Sequence, residues 1–140
     1  MNRGNTDDNF TVYRYADALL LIAECLNEIG SVNAESFDIL DQIRLRAGLQ
    51  PLTRGSITTQ ALLREAIEKE RRVELAFENH RWYDLVRTKK AVDVMNAHGA
   101  REKILKPTVI RPSAFNVTSN KLLLPIPQQD ITVDNLEQNP

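Results

Sequence analysis

The chain has 140 residues, 42% of them hydrophobic, and its 18 Lys and Arg against 19 Asp and Glu leave a net charge of −1. That is the length of one domain, able to bury roughly two thirds of its unfolded surface, and the balanced charge offers no electrostatic footprint for nucleic acid. No apolar run approaches the ~20 residues that span a bilayer, and the opening MNRGNTDDNF lacks the apolar core of a secretory signal.

Residues 1–9 are polar and read as disordered or extended. A helix follows over 10–29, regular from about Tyr13, with Tyr15, Ala18, Leu19, Ile22, Cys25, Leu26 and Ile29 on an apolar face. Arg14, Asp17, Glu24 and Glu28 fall on the other side, where Leu20 and Leu21 widen the contact surface. Cys25, the single cysteine, has no disulfide partner in the chain and reads as a small core residue. Gly30 suits a helix end in left-handed geometry. The turn 31–33 supplies capping side chains for a second helix over 34–47, ending at Gly48. Its apolar stripe is Phe37, Leu40, Ile43 and Ala47, and Arg44 lies on that stripe. A loop over 49–57 leads to Thr58 or Thr59, either of which can cap a third helix.

The stretch 62–85 organises the chain. At about 100° per residue its stripe holds Leu63, Ala66, Ile67, Val73 and Phe77, with Glu70 and Glu74 in the middle and Leu75 on the outer face. After the polar break Glu78-Asn79-His80 a fourth helix is expected over 81–96, with a break near Thr88 and a stop at Gly99. Residues 100–120 show no clean period. KLLLPIPQQDI contains two prolines, which block a long helix, and leaves room for one turn at 128–131. Leu122, Leu123, Leu124 and Ile126 are too apolar to hang free, so the tail should fold back. The expected architecture is one all-α domain over 1–140, with a helical core at 10–98 and an irregular tail at 99–140. It comprises a tetratricopeptide-like helical hairpin, two further helices and a Pro-containing C-terminal tail.

Charged side chains are rarely buried unless paired. Glu70 and Glu74 therefore need a cation from another element, and Arg44, set in a matching apolar stripe, is expected to pair with one of them. A planar guanidinium suits that contact better than lysine. This reads Arg44, Glu70 and Glu74 as a structural ion-pair network. The alternative is a pair of glycosidase carboxylates, since one helical turn is roughly 6 Å at Cβ; exposure in an open cleft would favour it. Trp82 reads as corner packing and Tyr83 as the candidate ligand contact, both rings combining an apolar face with a polar tip. His80 and His98 have no second ligand at i+3 or i+4, so no metal residue is assigned, and no catalytic or cofactor residue is assigned either.

YRYADALLLIAECLNEIG, IRLRAGL, ERRVELAFENHRWYDLVR, LLLPIPQQDI and LEQNP stand in an order and spacing that resembles the C-terminal part of the SusD/RagB family. These are nutrient-uptake lipoproteins of the outer membrane found alongside TonB-dependent transporters. The resemblance implies a helical fold with tetratricopeptide-like pairs, and capture of a glycan or other nutrient without altering it. It also implies a TonB-dependent transporter as partner and a surface-facing position in the outer membrane, held by a lipid anchor absent from this chain. On that reading the chain is the C-terminal scaffold portion of a longer protein. The other candidate is an intracellular tetratricopeptide-like adaptor for peptides, which usually needs three or more repeats.

Overall fold

The computed structural model describes residues 12–30 and 32–139. Among them are six α-helices and no strand, so the fold is all-α. They form two compact units, the first running to Arg81 and the second starting at Trp82. Residues 1–9 and Ser31, for which disorder and a capping role are expected, lie outside the described residues.

In the first unit α1 (Tyr15–Gly30) packs against both α2 (Ala34–Arg46) and α3 (Gln60–Glu74). Its buried face carries Ala16, Asp17, Leu19, Leu20, Ala23 and Asn27. This corrects the expected face: Tyr15, Ile22, Cys25 and Ile29 are exposed, and Cys25 is not a core residue. The helix is apolar on two sides, and the side that packs carries Ala16 and Ala23, which let neighbouring backbones come close. That side also carries Asn27, whose carbonyl accepts from Gln60 Nε2 at 2.6 Å while its own Nδ2 donates to the Gln60 carbonyl at 3.2 Å.

Helix α2 begins where Asn33 accepts the Ser36 N–H at 2.8 Å. Its Phe37, Leu40 and Ile43 meet Leu19, Leu20 and Ala23 of α1 and Leu63 and Ile67 of α3 in one apolar core. The helix closes at Gly48, φ +74°, with Leu49 N–H returning to the Arg44 carbonyl at 2.8 Å. Gly30, by contrast, stays inside α1 and out of the left-handed region.

Thr59 caps α3, accepting the Leu62 N–H at 3.2 Å. The helix ends at Glu74, short of the expected span, because the chain then turns through Phe77 (φ 68°) and Asn79 (φ 63°). Asparagine tolerates that region, whereas a bulky ring there is strained by an order of 1–3 kcal/mol. Three expectations are reversed at this end of the helix: Val73, still within α3, and Phe77, in the turn, are exposed, and Leu75 is buried.

Helix α4 (His80–Arg87) begins at the end of the first unit's sequence, and α5 (Ala91–Leu105) follows it in the second unit. The break falls at Lys89 (φ 59°), where Lys90 N–H reaches the Leu85 carbonyl at 2.8 Å. Gly99 does not stop the helix. It sits inside α5 under Phe115, where an added Cβ would lie 2.2 Å from the Phe115 Cβ.

The tail returns to α5 through Asn96, which donates to the Val117 carbonyl and accepts its N–H, both at 2.9 Å. Further on, a 3-10 turn at Ser119–Leu122 precedes α6 (Gln128–Asp134). Gln138 repeats the device at Ile126, accepting its N–H at 2.8 Å and donating to its carbonyl at 3.0 Å, while Asn139 Nδ2 holds the Leu124 carbonyl at 2.7 Å. LEQNP thus clasps LLLPIP by side-chain amides. Leu123 and Leu124 stay exposed, against the expectation that the whole apolar run is covered; it is the backbone of this run that is gripped.

Candidate functional site

The acids of α3 lead to the cations. Glu70 Oε2 accepts from Arg44 Nη1 at 2.9 Å, and Arg44 Nε donates to the Gln50 carbonyl at 2.8 Å, tying the loop after α2 to the same guanidinium. Glu74 meets two different arginines. Arg46 Nη2 reaches Glu74 Oε1 at 2.6 Å and Oε2 at 2.8 Å, and Arg14 Nη1 reaches Oε1 at 2.8 Å. The Glu70 and Glu74 side chains are only 9% and 7% exposed, so these bonds act where water screens them little.

Arg14 does more than neutralise a charge. Its Nη2 donates to the Glu74 carbonyl at 2.7 Å, satisfying an end group of α3 that has no intrahelical partner. The same side chain grips Glu78 through Nε at 2.9 Å and Nη2 at 2.8 Å. These bonds to Glu78, then those to Glu74, hold the guanidinium pKa above its ordinary value. In return Arg14 holds the Glu78 carboxyl below the usual range, chiefly by hydrogen bonding.

A second buried pair joins α1 to α3: Arg71 Nη1 lies 2.8 Å from Asp17 Oδ1, with side-chain exposures of 5% and 3%. Periodicity misses it. Asp17 counts as outward once the other apolar face is chosen, and Arg71 stands one residue beyond the stripe. The available signal is that each borders an apolar face of its helix with opposite charge. Arg14 and Arg46 are missed because neither lies on an apolar stripe: Arg14 reads as part of the polar face of the first expected helix, and Arg46 falls beside the stripe of Phe37, Leu40, Ile43 and Ala47.

A groove of about 330 Å³ opens between α1 and α2, lined by Arg14, Tyr15, Ala16, Leu19, Gln42, Ile43 and Arg46. It is apolar within, with guanidiniums already committed to carboxylates. His80 stands 6.3 Å from Tyr13 ring to ring. In the second unit His98 meets Phe115 edge to face at 5.4 Å, and its Nδ1 lies 3.1 Å from Arg101 Nη2. Tyr83 is 70% exposed on α4, and Trp82 retains 37% exposure. No group of three His, Cys, Asp or Glu that could hold a metal occurs among the described residues.

Chemically, Glu70 and Glu74 spend their side-chain oxygens on charge-assisted hydrogen bonds from arginines of other segments, an arrangement suited to joining helices.

The description SusD family matches residues 1–140. SusD-like protein P2 of Formosa agariphila is 33% identical over 135 residues, which are 93% of this chain and 25% of that protein. SusD-like protein P25 of the same organism is 36% identical over 133 residues, 94% of this chain and 24% of the relative. A solved SusD superfamily protein from Parabacteroides distasonis superposes with a TM-score of 0.69 at 32% identity, covering 99% of this chain and 28% of that one. The chain spans about a quarter of the length of these relatives. With the match running across both units and the same helical fold in the solved relative, the chain belongs to the SusD family.

Proposed function

We propose that the protein is a non-catalytic nutrient-binding component of an outer-membrane, TonB-dependent uptake system, with an oligosaccharide as its ligand and this chain as its C-terminal scaffold portion. The observation that carries this is the SusD family match over all 140 residues. The engagement of Glu70 and Glu74 by Arg44, Arg14 and Arg46 supports the non-catalytic part. On this reading Arg44, Glu70 and Glu74 are architectural, and Tyr83 is the ligand contact offered by this segment. The position is surface-facing, through a lipid anchor on polypeptide outside these residues; no described helix is long and apolar enough to cross a membrane.

Calorimetric titration of the full-length protein with an oligosaccharide panel, followed by chromatography of the recovered sugars, tests the proposal. Saturable heat with unaltered sugars is the expected result. Shortened sugars would overturn the non-catalytic reading. Absence of heat with every glycan, alongside binding of peptides, would overturn the ligand class. Co-purification of a TonB-dependent transporter from solubilised outer membranes checks the partner.

A further inference from the structure

We propose that Lys103 and Lys121, drawn together on Asn116, form a binding site for an oxyanion, the carboxylate or sulfate group of a small guest. Charge is unevenly spread along the chain. Residues 94–129 carry Arg101, Lys103, Lys106, Arg111 and Lys121 against a single acid, Glu102, although the whole chain has a net charge of −1. A local field of one sign raises the concentration of counter-ions beside it. Glu102 is already committed, to Lys106 at 3.0 Å and to Arg101 at 3.9 Å. Among the described residues neither Lys103 nor Lys121 forms an ion pair.

Both lysines turn instead to Asn116. Lys103 Nζ, from α5, donates to its Oδ1 at 3.1 Å, and Lys121 Nζ, from the 3-10 turn, donates to its backbone carbonyl at 2.8 Å. The two oxygens belong to one residue, so the ammonium groups stand within about 10 Å of each other. That is no more than about the screening length in 0.1 M salt. Like charges at this range repel, and an oxyanion seated between them relieves the repulsion. Each ammonium has three N–H donors and spends one on Asn116, which leaves the rest for the oxygens of a guest. Asn116 itself is exposed but held from both sides. Before it Phe115 covers Gly99 of α5, and after it Val117 is bonded through N–H and carbonyl to Asn96, both at 2.9 Å. An anchor fixed in advance spares the guest the cost of ordering the loop. A compact charge on a flexible stem accepts a carboxylate or a sulfate alike. The oxyanion is either an acidic group on the captured oligosaccharide, which rests on the nutrient-binding reading above, or a free inorganic ion, which does not.

Reductive methylation with an isotope label keeps the charge of a lysine and gives each one its own NMR signal. In the full-length protein, titration with sodium sulfate at constant ionic strength should shift the Lys103 and Lys121 signals together and saturably, while that of Lys89 stays still. Lys103→Gln should weaken the saturation at Lys121 by on the order of 5-fold, the worth of one charge at about 4 Å in water. Lys103→Arg, which keeps the charge, should restore it. A uronate-containing oligosaccharide that competes with sulfate for both lysines, where its neutral counterpart does not, assigns the oxyanion to the captured sugar. Sulfate binding without that competition assigns it to a free ion. Shifts alike at every lysine, or saturation at Lys121 unchanged by Lys103→Gln, would overturn the site. Neither result alters the heat from a neutral glycan, so failure of the site and failure of the nutrient-binding reading are told apart.

Discussion

Arg14 and Glu78, 64 residues apart in sequence, are locked by two guanidinium N–H groups at 2.9 and 2.8 Å, and the same arginine caps the last carbonyl of α3. The start of α1 thereby fixes where α3 ends and how the chain turns after it. Arg14→Ala should lower stability by about 2 kcal/mol, the magnitude of losing charged hydrogen bonds in a part-buried site, as read by urea unfolding at pH 7.

The same pair sets a pH dependence. Because Arg14 depresses the folded pKa of Glu78, the unfolded chain takes up the proton first as pH falls. This contribution is fully present above the ordinary glutamate value of about 4.3 and is lost as pH drops through the depressed folded value. Glu28, lowered by Arg64, adds in the same direction. Thermal unfolding from pH 7 to pH 3 should show this acid-side loss, and Arg14→Ala should flatten it.

Asp17 and Arg71 form an enclosed ion pair, at 3% and 5% side-chain exposure. Asp17→Ala leaves a guanidinium buried without its carboxylate and should destabilise by about 3–5 kcal/mol. The double change Asp17→Leu with Arg71→Met should recover most of that loss, since an apolar pair removes both desolvation penalties. Denaturant midpoints of the three variants check the order.

Gly99→Ala should cost about 2 kcal/mol by overpacking, because its Cβ would meet Phe115 Cβ at 2.2 Å. That outweighs the gain of about 1 kcal/mol that alanine brings to a helix interior. Adding Phe115→Gly removes the opposing atom and relaxes the positive φ at that residue, so the double variant should regain stability in melting experiments.

What could be read from the sequence was decided by where a charge sits relative to a stripe. Arg44 and the acids Glu70 and Glu74 stand on apolar stripes of two helices, so helical geometry leads to a pairing with one of the two acids, and the structure makes it Glu70. The partners of Glu74, Arg14 and Arg46, lie off the apolar stripes of their helices, so periodicity reads them as solvated. For α1 the period is right and the face wrong: two apolar faces share one helix, and Ile22 is more hydrophobic than Ala23 although Ala23 packs closer. Phe77 and Gly99 fail for a related reason. A positive φ at a phenylalanine, and a close approach from residue 115, are set by tertiary contacts that no local window contains. The all-helical class and the helical hairpin were legible because α1, α2 and α3 are long, and α2 and α3 begin at capping side chains, Asn33 and Thr59.

The account rests on the acids of α3 serving as joints between helices, and a double-mutant cycle on Arg44 and Glu70 tests it most directly. Urea unfolding of Arg44→Ala, Glu70→Ala and the double variant should give single losses of about 2–3 kcal/mol and a coupling of about 2 kcal/mol, with glycan turnover absent throughout. Single losses that simply add to within about 0.5 kcal/mol, or unchanged stability with a loss of turnover in Glu70→Ala, would contradict it.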